Sequence, residues 1–208
     1  MRILITAGGT REYIDQVRFI TNASSGRMGY ALAEAANQRG HKVTLISASY
    51  MQPPVGVEFV GVESAAEMFA AVKKFFGKCD CLIMAAAVAD YTAVKKSKMK
   101  IKKSKKDLVI RLKPTVGILD WVRKQKREEQ VVVGFALEDK DVRKRAERKL
   151  KEKNLDMIIA NTPAAIGAEK STVQIKTSQM KWLKVSQASK AAIAKKIISL
   201  SEELIARN

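Results

Sequence analysis

Apolar runs alternate with helix-like segments along most of this chain. Short apolar runs at 2–7, 42–47 and 58–62 predict buried strands, and segments 26–39 and 64–76 have the spacing of amphipathic helices. The rhythm continues with predicted strands at 80–88, 108–113, 131–137 and 156–160 and predicted helices at 116–127 and 140–153. Such alternation predicts an α/β fold, a doubly wound, mostly parallel Rossmann-like sheet with flanking helices.

The C-terminal part departs from this rhythm. TVQIKT and KWLKVS flank Ser178, Gln179 and Met180 and predict a β-hairpin, and residues 187–206 have a helical apolar pattern. No internal repeat and no linker rich in Pro, Gly or Ser interrupts the chain, so residues 1–208 are expected to form one domain.

One long stretch, residues 89–107, lacks a buried pattern. Long irregular segments in compact domains are usually functional or disordered, so its lysine-rich part, residues 92–107, is predicted to be a flap. Eight lysines lie within 95–106, and they contribute to a net charge of +18. This excess predicts an anionic partner, although single lysines in such runs are most often solvated.

A basic nucleic-acid-binding protein is one alternative that the charge leaves open. Aromatic residues make up only 6% of the chain, and no stacking platform accompanies the lysines. Binding to nucleic acid is therefore expected to be salt-sensitive and without sequence preference, and no specific nucleic-acid partner is predicted.

Membrane and secretory signals are absent from the sequence. No apolar run approaches the roughly 20 residues that span a bilayer, and Arg11 and Glu12 arrive too early for a signal peptide. We expect a cytoplasmic protein without a membrane partner. Cys79 and Cys81, the only cysteines, are predicted to point to one face of a strand and to pack there, since two thiols and a distant His41 do not form a zinc site.

The first 29 residues have the layout of an anion-binding site. A strand runs into a loop with Gly8 and Gly9, which permit close backbone approach, and Ser24 and Ser25 precede a helix that starts near Gly26. The free N–H groups and positive dipole end of a helix attract an anion.

Side chains for covalent or acid–base catalysis are not evident, since the single histidine has no nucleophile beside it. Tyr91 and Lys95 do match the Tyr-x-x-x-Lys spacing of NAD(P)-dependent short-chain dehydrogenases. That pair normally lies on a helix, whereas Tyr91 ends a strand pattern, and the glycine spacing of a dinucleotide site is incomplete. A dehydrogenase therefore remains the weaker alternative.

Five ordered motifs are spread along most of the chain. They are ITAGGTREYIDQVRFITNASSGRMG at 5–29, MAAAVADY at 84–91, KIKK at 100–103, GFALE at 134–138 and KLKEKNLDMIIAN at 149–161. Together they resemble the phosphopantothenoylcysteine synthetases, also called phosphopantothenate–cysteine ligases, of coenzyme A biosynthesis.

The resemblance implies a ligase that activates the carboxylate of 4′-phosphopantothenate with a nucleoside triphosphate. CTP is the expected co-substrate and ATP the alternative, with Mg²⁺ or Mn²⁺ as cofactor. The acyl-nucleotide, an acyl-cytidylate if CTP is used, then reacts with the amine of L-cysteine. Positioning and charge neutralisation suffice for such transfers, which agrees with the missing covalent nucleophile.

The resemblance also implies roles for individual residues. Asn22 matches the asparagine that contacts the carbonyl of the intermediate, although it is also a typical helix N-cap, and Lys100 matches the flap lysine that promotes formation of the intermediate. Predicted substrate contacts are Arg18, Asn22, Ser24, Ser25, Gly26, Ala86 and Ala87. Predicted nucleotide contacts are Gly8, Gly9, Ala86, Asp90, Lys100, Val116, Gly117, Ile118, Leu119, Phe135, Lys149 and Lys153. No metal ligands are predicted.

Two departures from the family pattern bear on the nucleotide. Residues 116–119 read Val-Gly-Ile-Leu where many relatives have Pro-Asp-Ile and an apolar residue, and Met84 stands where some have glycine. If the missing acid reads the ribose or base, nucleotide preference changes, so ATP stays open beside CTP. The resemblance further implies a homodimer. It also implies a flavin-dependent decarboxylase as a separate partner, since the chain opens on the ligase motif, as in a free-standing synthetase or an excised domain.

Overall fold

The structure, a computed structural model, describes residues 1–207. One eight-stranded sheet forms its centre, with the order β12-β11-β10-β9-β6-β1-β4-β5. These strands are β1 (Arg2–Ala7), β4 (Lys42–Ser47), β5 (Glu58–Gly61), β6 (Cys81–Met84), β9 (Val131–Leu137), β10 (Met157–Asn161), β11 (Lys170–Thr177) and β12 (Leu183–Ser189). Neighbours from β10 to β5 pair in parallel, and β11 and β12 add an antiparallel hairpin.

Helices cover both faces of this sheet. They are α1 (Arg27–Gln38), α2 (Ala65–Phe76), α3 (Ile118–Gln125), α4 (Val142–Glu152) and α5 (Lys190–Ile205). Buried side chains of α1 and α5 form one core cluster with the sheet, and those of α2, α3 and α4 form the other. Because helices cover both faces of the parallel strands, the strand sequences are almost continuously apolar, as in Ile3, Leu4 and Ile5 of β1. The predicted doubly wound fold with a C-terminal hairpin and helix is confirmed.

The start of α2 shows how polar residues fix a helix end. Ser64 and Glu67 form a capping box, in which the Ser64 side chain accepts from the Glu67 N–H and the Glu67 carboxylate accepts from the N–H of Ser64. The buried carboxylate of Glu12 accepts a further hydrogen bond from the N–H of Ala65 at 2.8 Å. This contact ties α2 to the loop that follows β1.

Two small sheets lie outside the main one, and the apolar pattern did not indicate them. One joins β2 (Arg11–Tyr13) to β3 (Phe19–Thr21), and the other joins β7 (Tyr91–Ala93) to β8 (Leu112–Pro114). The predicted strand at 108–113 is therefore wrong as a member of the main sheet. Leu108 and Val109 are exposed, so no buried face selects a strand there.

Two other boundaries also differ from the prediction. β6 ends at Met84 rather than at residue 88, because the following residues turn into the loop above the sheet. α5 begins at Lys190 since β12 continues to Ser189, whose side chain accepts from the N–H of Ala192 and caps the helix.

Among the described residues, none of the helices has the length and apolar character needed to cross a membrane.

The two cysteines are buried, but they do not share a face. Cys81 belongs to the cluster beneath α1 and α5, whereas Cys79 packs in the cluster beneath α2. The prediction of one common face is wrong because Cys79 lies before β6 begins and escapes the alternation of the strand. Burial raises the pKa of the Cys79 thiol to about 12.

Candidate active site

A cavity of about 900 Å³ opens above the carboxyl ends of β6, β9 and β10. Its walls include the start of α1 and the loop after β6. The chain continues from β1 to β4 on one side and reaches β6 on the other, so the strand order reverses beside β1. Crevices at such reversal points are the usual ligand sites of open α/β sheets.

Most predicted site residues line this one cavity. They are Asn22, Ser24, Ser25, Gly26, Ala86, Ala87, Asp90, Val116, Gly117, Ile118, Leu119, Phe135, Lys149 and Lys153. They come from distant parts of the chain, and the sheet brings them together at one edge. Gly8, Gly9, Arg18 and Lys100 are not among the lining residues.

Asn22 holds the loop after β6 in place. Its Nδ2 donates to the carbonyl oxygens of Ala87 at 3.2 Å and Val88 at 3.1 Å. The alternative that Asn22 is a helix N-cap is wrong, since α1 has Gly26 as its N-cap. Both donor hydrogens of the amide are used, so the side-chain oxygen is the group left to face a ligand.

The start of α1 supplies free backbone donors to the cavity wall. Gly26 is the N-cap with φ of 81° and has no side chain to cap the helix, and Oγ of Ser25 accepts only a long hydrogen bond, at 3.5 Å, from the N–H of Arg27. A β-carbon at Gly26 would lie 2.9 Å from Cβ of Ser49, so the close approach requires glycine. Ser24 and Ser25 precede this turn, and uncapped N–H groups at a helix start favour an anion.

Gly8 and Gly9 lie behind this wall and serve the packing of loops against each other. A β-carbon at Gly8 would come 2.7 Å from the backbone nitrogen of Ser49, and one at Gly9 would come 2.7 Å from the carbonyl oxygen of Asn22. The structure therefore explains both glycines by backbone approach. Their contact with a nucleotide stays a prediction.

Lys149 of α4 and Lys153, the residue directly after this helix, form the opposite wall. Lys149 and Lys153 both face the cavity, as their i, i+4 spacing predicts. Nζ of Lys149 donates to the carbonyl oxygen of Phe135 at 2.8 Å. Burial lowers the pKa of Lys149 below its usual range, with the nearby charges of Glu138 and Asp90 opposing that change.

Asp120 is a cavity residue outside the predicted set. Its Oδ1 lies 2.5 Å from Nζ of Lys153, and its Oδ2 lies 2.3 Å from the point where a β-carbon on Gly117 would stand. The carboxylate thus occupies the space beside position 117, where the family pattern has an acid. The absence of a side chain at Gly117 leaves room for it.

Ala86 and Ala87 form the floor between the two walls. The N–H of Ala86 donates to Oγ1 of Thr6 at 3.2 Å, and Ala87 pairs with Gly9 in an isolated parallel bridge. Their side chains are single methyl groups, and larger side chains at these two positions would fill part of the cavity. Asp90 lies at the end of the same loop and is exposed towards the cavity.

Other lining residues also escaped prediction. Glu138 follows β9 and Asn161 is the last residue of β10, so their position at the carboxyl ends of parallel strands is a signal that could have identified them. Ser171 and Lys190 come from β11 and the start of α5. No sequence pattern connects these two residues with the cavity.

Lys100 and Arg18 do not line the cavity. Lys100 is exposed on the flap. The guanidinium of Arg18 contacts Asp15 at 3.3 Å and donates to the carbonyl oxygen of Ile101 at 2.8 Å. Arg18 therefore contacts the flap directly, and its contact with substrate stays a prediction.

Two other kinds of site, a metal site and a dehydrogenase Tyr–Lys pair, do not match the geometry of the described residues. Among residues 1–207, no group of three His, Cys, Asp or Glu side chains is placed to hold a metal ion. Tyr91 belongs to β7 and Lys95 lies outside any helix, so the pair lacks the helical spacing of short-chain dehydrogenases. The cavity instead combines backbone donors, small side chains and lysines.

Comparison with known proteins places these features in a family. Residues 1–204 match the family described as the DNA/pantothenate metabolism flavoprotein C-terminal domain. The Coenzyme A biosynthesis bifunctional protein CoaBC of Bacillus subtilis strain 168 is 49% identical over 168 residues, which are 80% of this chain and 41% of the relative. The chain thus spans less than half the length of that relative.

Solved structures agree with the sequence match. The crystal structure of the C-terminal domain of a bifunctional protein CoaBC has 38% identity and a TM-score of 0.87, covering 100% of this chain and 96% of that one. A Cab2 mutant in complex with phosphopantothenate-cysteine has a TM-score of 0.83 over 99% of this chain and 88% of that one. At 16% identity, the latter supports the fold alone.

Proposed function

This chain belongs to the family of the DNA/pantothenate metabolism flavoprotein C-terminal domain, and we propose that it is a ligase joining 4′-phosphopantothenate to L-cysteine. The observation that carries the proposal is the cavity with two cationic or donor-rich walls and a floor of alanines between them. Such a site suits two anionic ligands whose reacting groups meet over the floor. The relationship to coenzyme A biosynthesis proteins supports the same substrates.

Each wall suits one of these anions. The uncapped start of α1, with Ser24 and Ser25 before it, suits the phosphate of 4′-phosphopantothenate. Lys149 and Lys153 suit the triphosphate, because their ammonium groups offer several donors to phosphate oxygens. Phe135, which also lines the cavity, offers an aromatic surface for the base. The carboxylate then meets the α-phosphate above Ala86 and Ala87.

The reaction proceeds in two displacements. A carboxylate oxygen attacks the α-phosphorus, the bond from that phosphorus to the β-phosphate oxygen breaks, and pyrophosphate leaves with the electron pair. The amine of cysteine then attacks the acyl carbon, loses a proton, and expels the nucleoside monophosphate. Both steps need alignment and neutralised charge rather than a covalent nucleophile on the enzyme.

Asn22 and Lys100 have the central roles in this proposal. The side-chain oxygen of Asn22 is held in place by the two hydrogen bonds from its Nδ2, so it is preorganised to accept a hydrogen bond from the incoming amine of cysteine. Lys100 brings a positive charge from the flap to the carboxylate and α-phosphate as they approach. A rigid floor and a cationic cover together lower the cost of bringing two anions into contact.

Mg²⁺, or Mn²⁺ in its place, is the proposed cofactor. Mg²⁺ is commonly held by substrate phosphates together with one or two carboxylates, and Asp90 and Glu138 offer carboxylates in the cavity. The ion supplies charge neutralisation on the triphosphate when bound. CTP is the proposed co-substrate, with acyl-cytidylate as the intermediate, and ATP is the alternative.

The proposed assembly is a homodimer. We also propose that a flavin-dependent decarboxylase acts on the product, because the related proteins are called bifunctional and extend well beyond the matched region. Sedimentation analysis of the protein tests the dimer directly.

A coupled assay tests the ligase activity. The protein is mixed with Mg²⁺, 4′-phosphopantothenate, cysteine and either CTP or ATP, and pyrophosphate and nucleoside monophosphate are quantified. We expect turnover only when all substrates are present, and CTP to be used faster than ATP. Failure to release pyrophosphate with either nucleotide contradicts the proposal.

A further inference from the structure

We propose that Asp15 is a positioning residue for Lys100, acting through the backbone of Ile101. The three residues Asp15, Arg18 and Ile101 form a latch that fastens the flap to the β2–β3 hairpin. This inference rests on the proposed role of Lys100 in the ligase reaction.

One oxygen of Asp15 organises the turn of the hairpin. Oδ1 accepts hydrogen bonds from the N–H groups of Val17 and Arg18, each at 2.7 Å. This arrangement is an Asx turn, which many exposed aspartates and asparagines form. Asp15 is nevertheless 0% exposed, so a turn alone does not explain its environment.

The other oxygen of Asp15 points at the flap. Oδ2 accepts from the N–H of Ile101 at 3.1 Å, and Nη1 of Arg18 lies 3.3 Å from the same oxygen. Nη2 of Arg18 donates to the carbonyl oxygen of Ile101 at 2.8 Å. Both polar groups of the Ile101 backbone are therefore held, which fixes the direction of the chain immediately after Lys100.

Contacts on the preceding residues extend the latch. The N–H of Ser97 donates to the carbonyl oxygen of Ile14 at 2.9 Å. Nζ of Lys96 lies 4.7 Å from the ring centroid of Tyr13, within the range of a cation–π contact. Residues 96–101 of the flap are thus fastened to residues 13–18 of the hairpin at several points.

The hairpin also carries Asn22, directly after β3. Thr21 joins the end of this hairpin to the segment after β1, since its Oγ1 donates to the carbonyl oxygen of Thr10 at 2.8 Å. The β2–β3 hairpin is therefore followed directly by Asn22, which lines the cavity, and its turn holds Ile101, the residue after Lys100. The latch sets the distance of the flap lysine from Asn22.

The ionised form of Asp15 suits this task. Its pKa is lowered mainly by the hydrogen bond from the N–H of Val17, with those from Arg18 and Ile101 adding to the effect and burial opposing it. A buried carboxylate that lost these donors would leave an unpaired charge, which is costly. The donors on the flap and the carboxylate on the hairpin therefore stabilise each other.

The Asp15→Asn variant removes the hydrogen bond to the flap and keeps the hydrogen bonds of the turn. The amide oxygen at the Oδ1 position still accepts from Val17 and Arg18, but the amide nitrogen then faces the N–H of Ile101, so two donors oppose each other. Ile101→Pro removes the same hydrogen bond from the flap side and leaves Asp15 unchanged. Glu203→Gln, at an exposed position of α5, is the control that removes one carboxylate elsewhere.

Limited trypsin digestion with peptide mapping measures the flap. Cleavage within 95–106 is expected to become at least about tenfold faster in Asp15→Asn and in Ile101→Pro, because a hydrogen bond to a charged group holds the segment closed. Glu203→Gln is expected to be cut at the wild-type rate. Cleavage of both latch variants at the wild-type rate would overturn the latch.

Steady-state kinetics measure the positioning of Lys100. In Asp15→Asn, kcat for pyrophosphate release is expected to fall about 100-fold while KM for the nucleotide changes less than about threefold. An unchanged kcat overturns the inference and leaves the ligase function intact. A wild-type protein without ligase activity refutes the proposed function instead, and the digestion experiment still decides whether the latch exists.

Discussion

The ammonium group of Lys153 lies 2.5 Å from Oδ1 of Asp120, so one of the two lysines that line the cavity is already paired with a carboxylate of the protein. A triphosphate at this wall competes with Asp120 for the same cation. We therefore predict that Asp120→Asn strengthens nucleotide binding by up to about fivefold, since exposed ion pairs contribute little energy. Calorimetric titration with CTP and ATP measures the change.

The double variant Asp120→Asn with Lys153→Gln is the control for this effect. If Asp120 acts by neutralising Lys153, the double variant should bind nucleotide no better than Lys153→Gln alone. Weaker binding by Asp120→Asn would mean that the carboxylate assists the nucleotide, and would contradict this prediction.

Gly8 is predicted to be essential for the packing of the loop after β1. Gly8→Ala strains a backbone with φ of 83° and places a β-carbon 2.7 Å from the backbone nitrogen of Ser49. Gly40→Ala is the matched control, because φ is 77° there and nothing lies within 4 Å. We expect Gly40→Ala to lower the free energy of unfolding by about 1–2 kcal/mol and Gly8→Ala by at least about 1 kcal/mol more.

Urea denaturation of both variants measures these losses. Equal losses would show that the loops move apart at no cost, and the explanation of Gly8 by close approach would fail.

Asn22→Asp is predicted to impair the reaction rather than the fold alone. The variant loses both hydrogen bonds from Nδ2 and brings a carboxylate against the carbonyl oxygens of Ala87 and Val88. Asn37→Asp is the comparison, since it loses the hydrogen bond to the carbonyl oxygen of Val55 outside the cavity. Ligase activity should fall about 100-fold only in Asn22→Asp. Similar activity of the two variants would contradict the role of Asn22.

The lowered pKa of Lys149 predicts a pH dependence of nucleotide binding. Without nucleotide, the ammonium loses its proton at a lower pH than an ordinary lysine because of burial. A bound triphosphate favours the charged form, so between the free and bound pKa values binding takes up a proton and affinity falls as pH rises.

Calorimetry in two buffers of different ionisation enthalpy measures this proton uptake. At alkaline pH the wild type should take up more protons on binding than Lys149→Met, which has no group to protonate. Equal uptake by both proteins would place Lys149 away from the triphosphate.

The apolar pattern was sufficient for the main sheet because its parallel strands are buried on both faces. β1, β9 and β10 match the prediction within one residue. The hairpins β2–β3 and β7–β8 were not predicted, since their strands are short and partly exposed, and backbone pairing rather than burial defines them. The lysine-rich composition indicated the flap, but not its attachment to Asp15.

The candidate site was predictable where the family motifs contain its residues, as for Asn22, Ala86 and Lys149. Asp120 escaped because its importance depends on an empty space at Gly117, which only three-dimensional packing reveals. Lys190 escaped because α5 follows an antiparallel hairpin that returns the chain to the cavity. Pairings between distant segments thus account for what the sequence pattern could not provide.

Transfer of an oxygen isotope shows whether the amide forms through an acyl-nucleotide intermediate. 4′-Phosphopantothenate labelled with ¹⁸O in its carboxylate is incubated with the protein, Mg²⁺, cysteine and CTP or ATP, and the products are analysed by mass spectrometry. The account predicts 4′-phosphopantothenoylcysteine and a nucleoside monophosphate that contains one labelled oxygen from the carboxylate. Label in inorganic phosphate, or an unlabelled monophosphate formed with the amide, would contradict it.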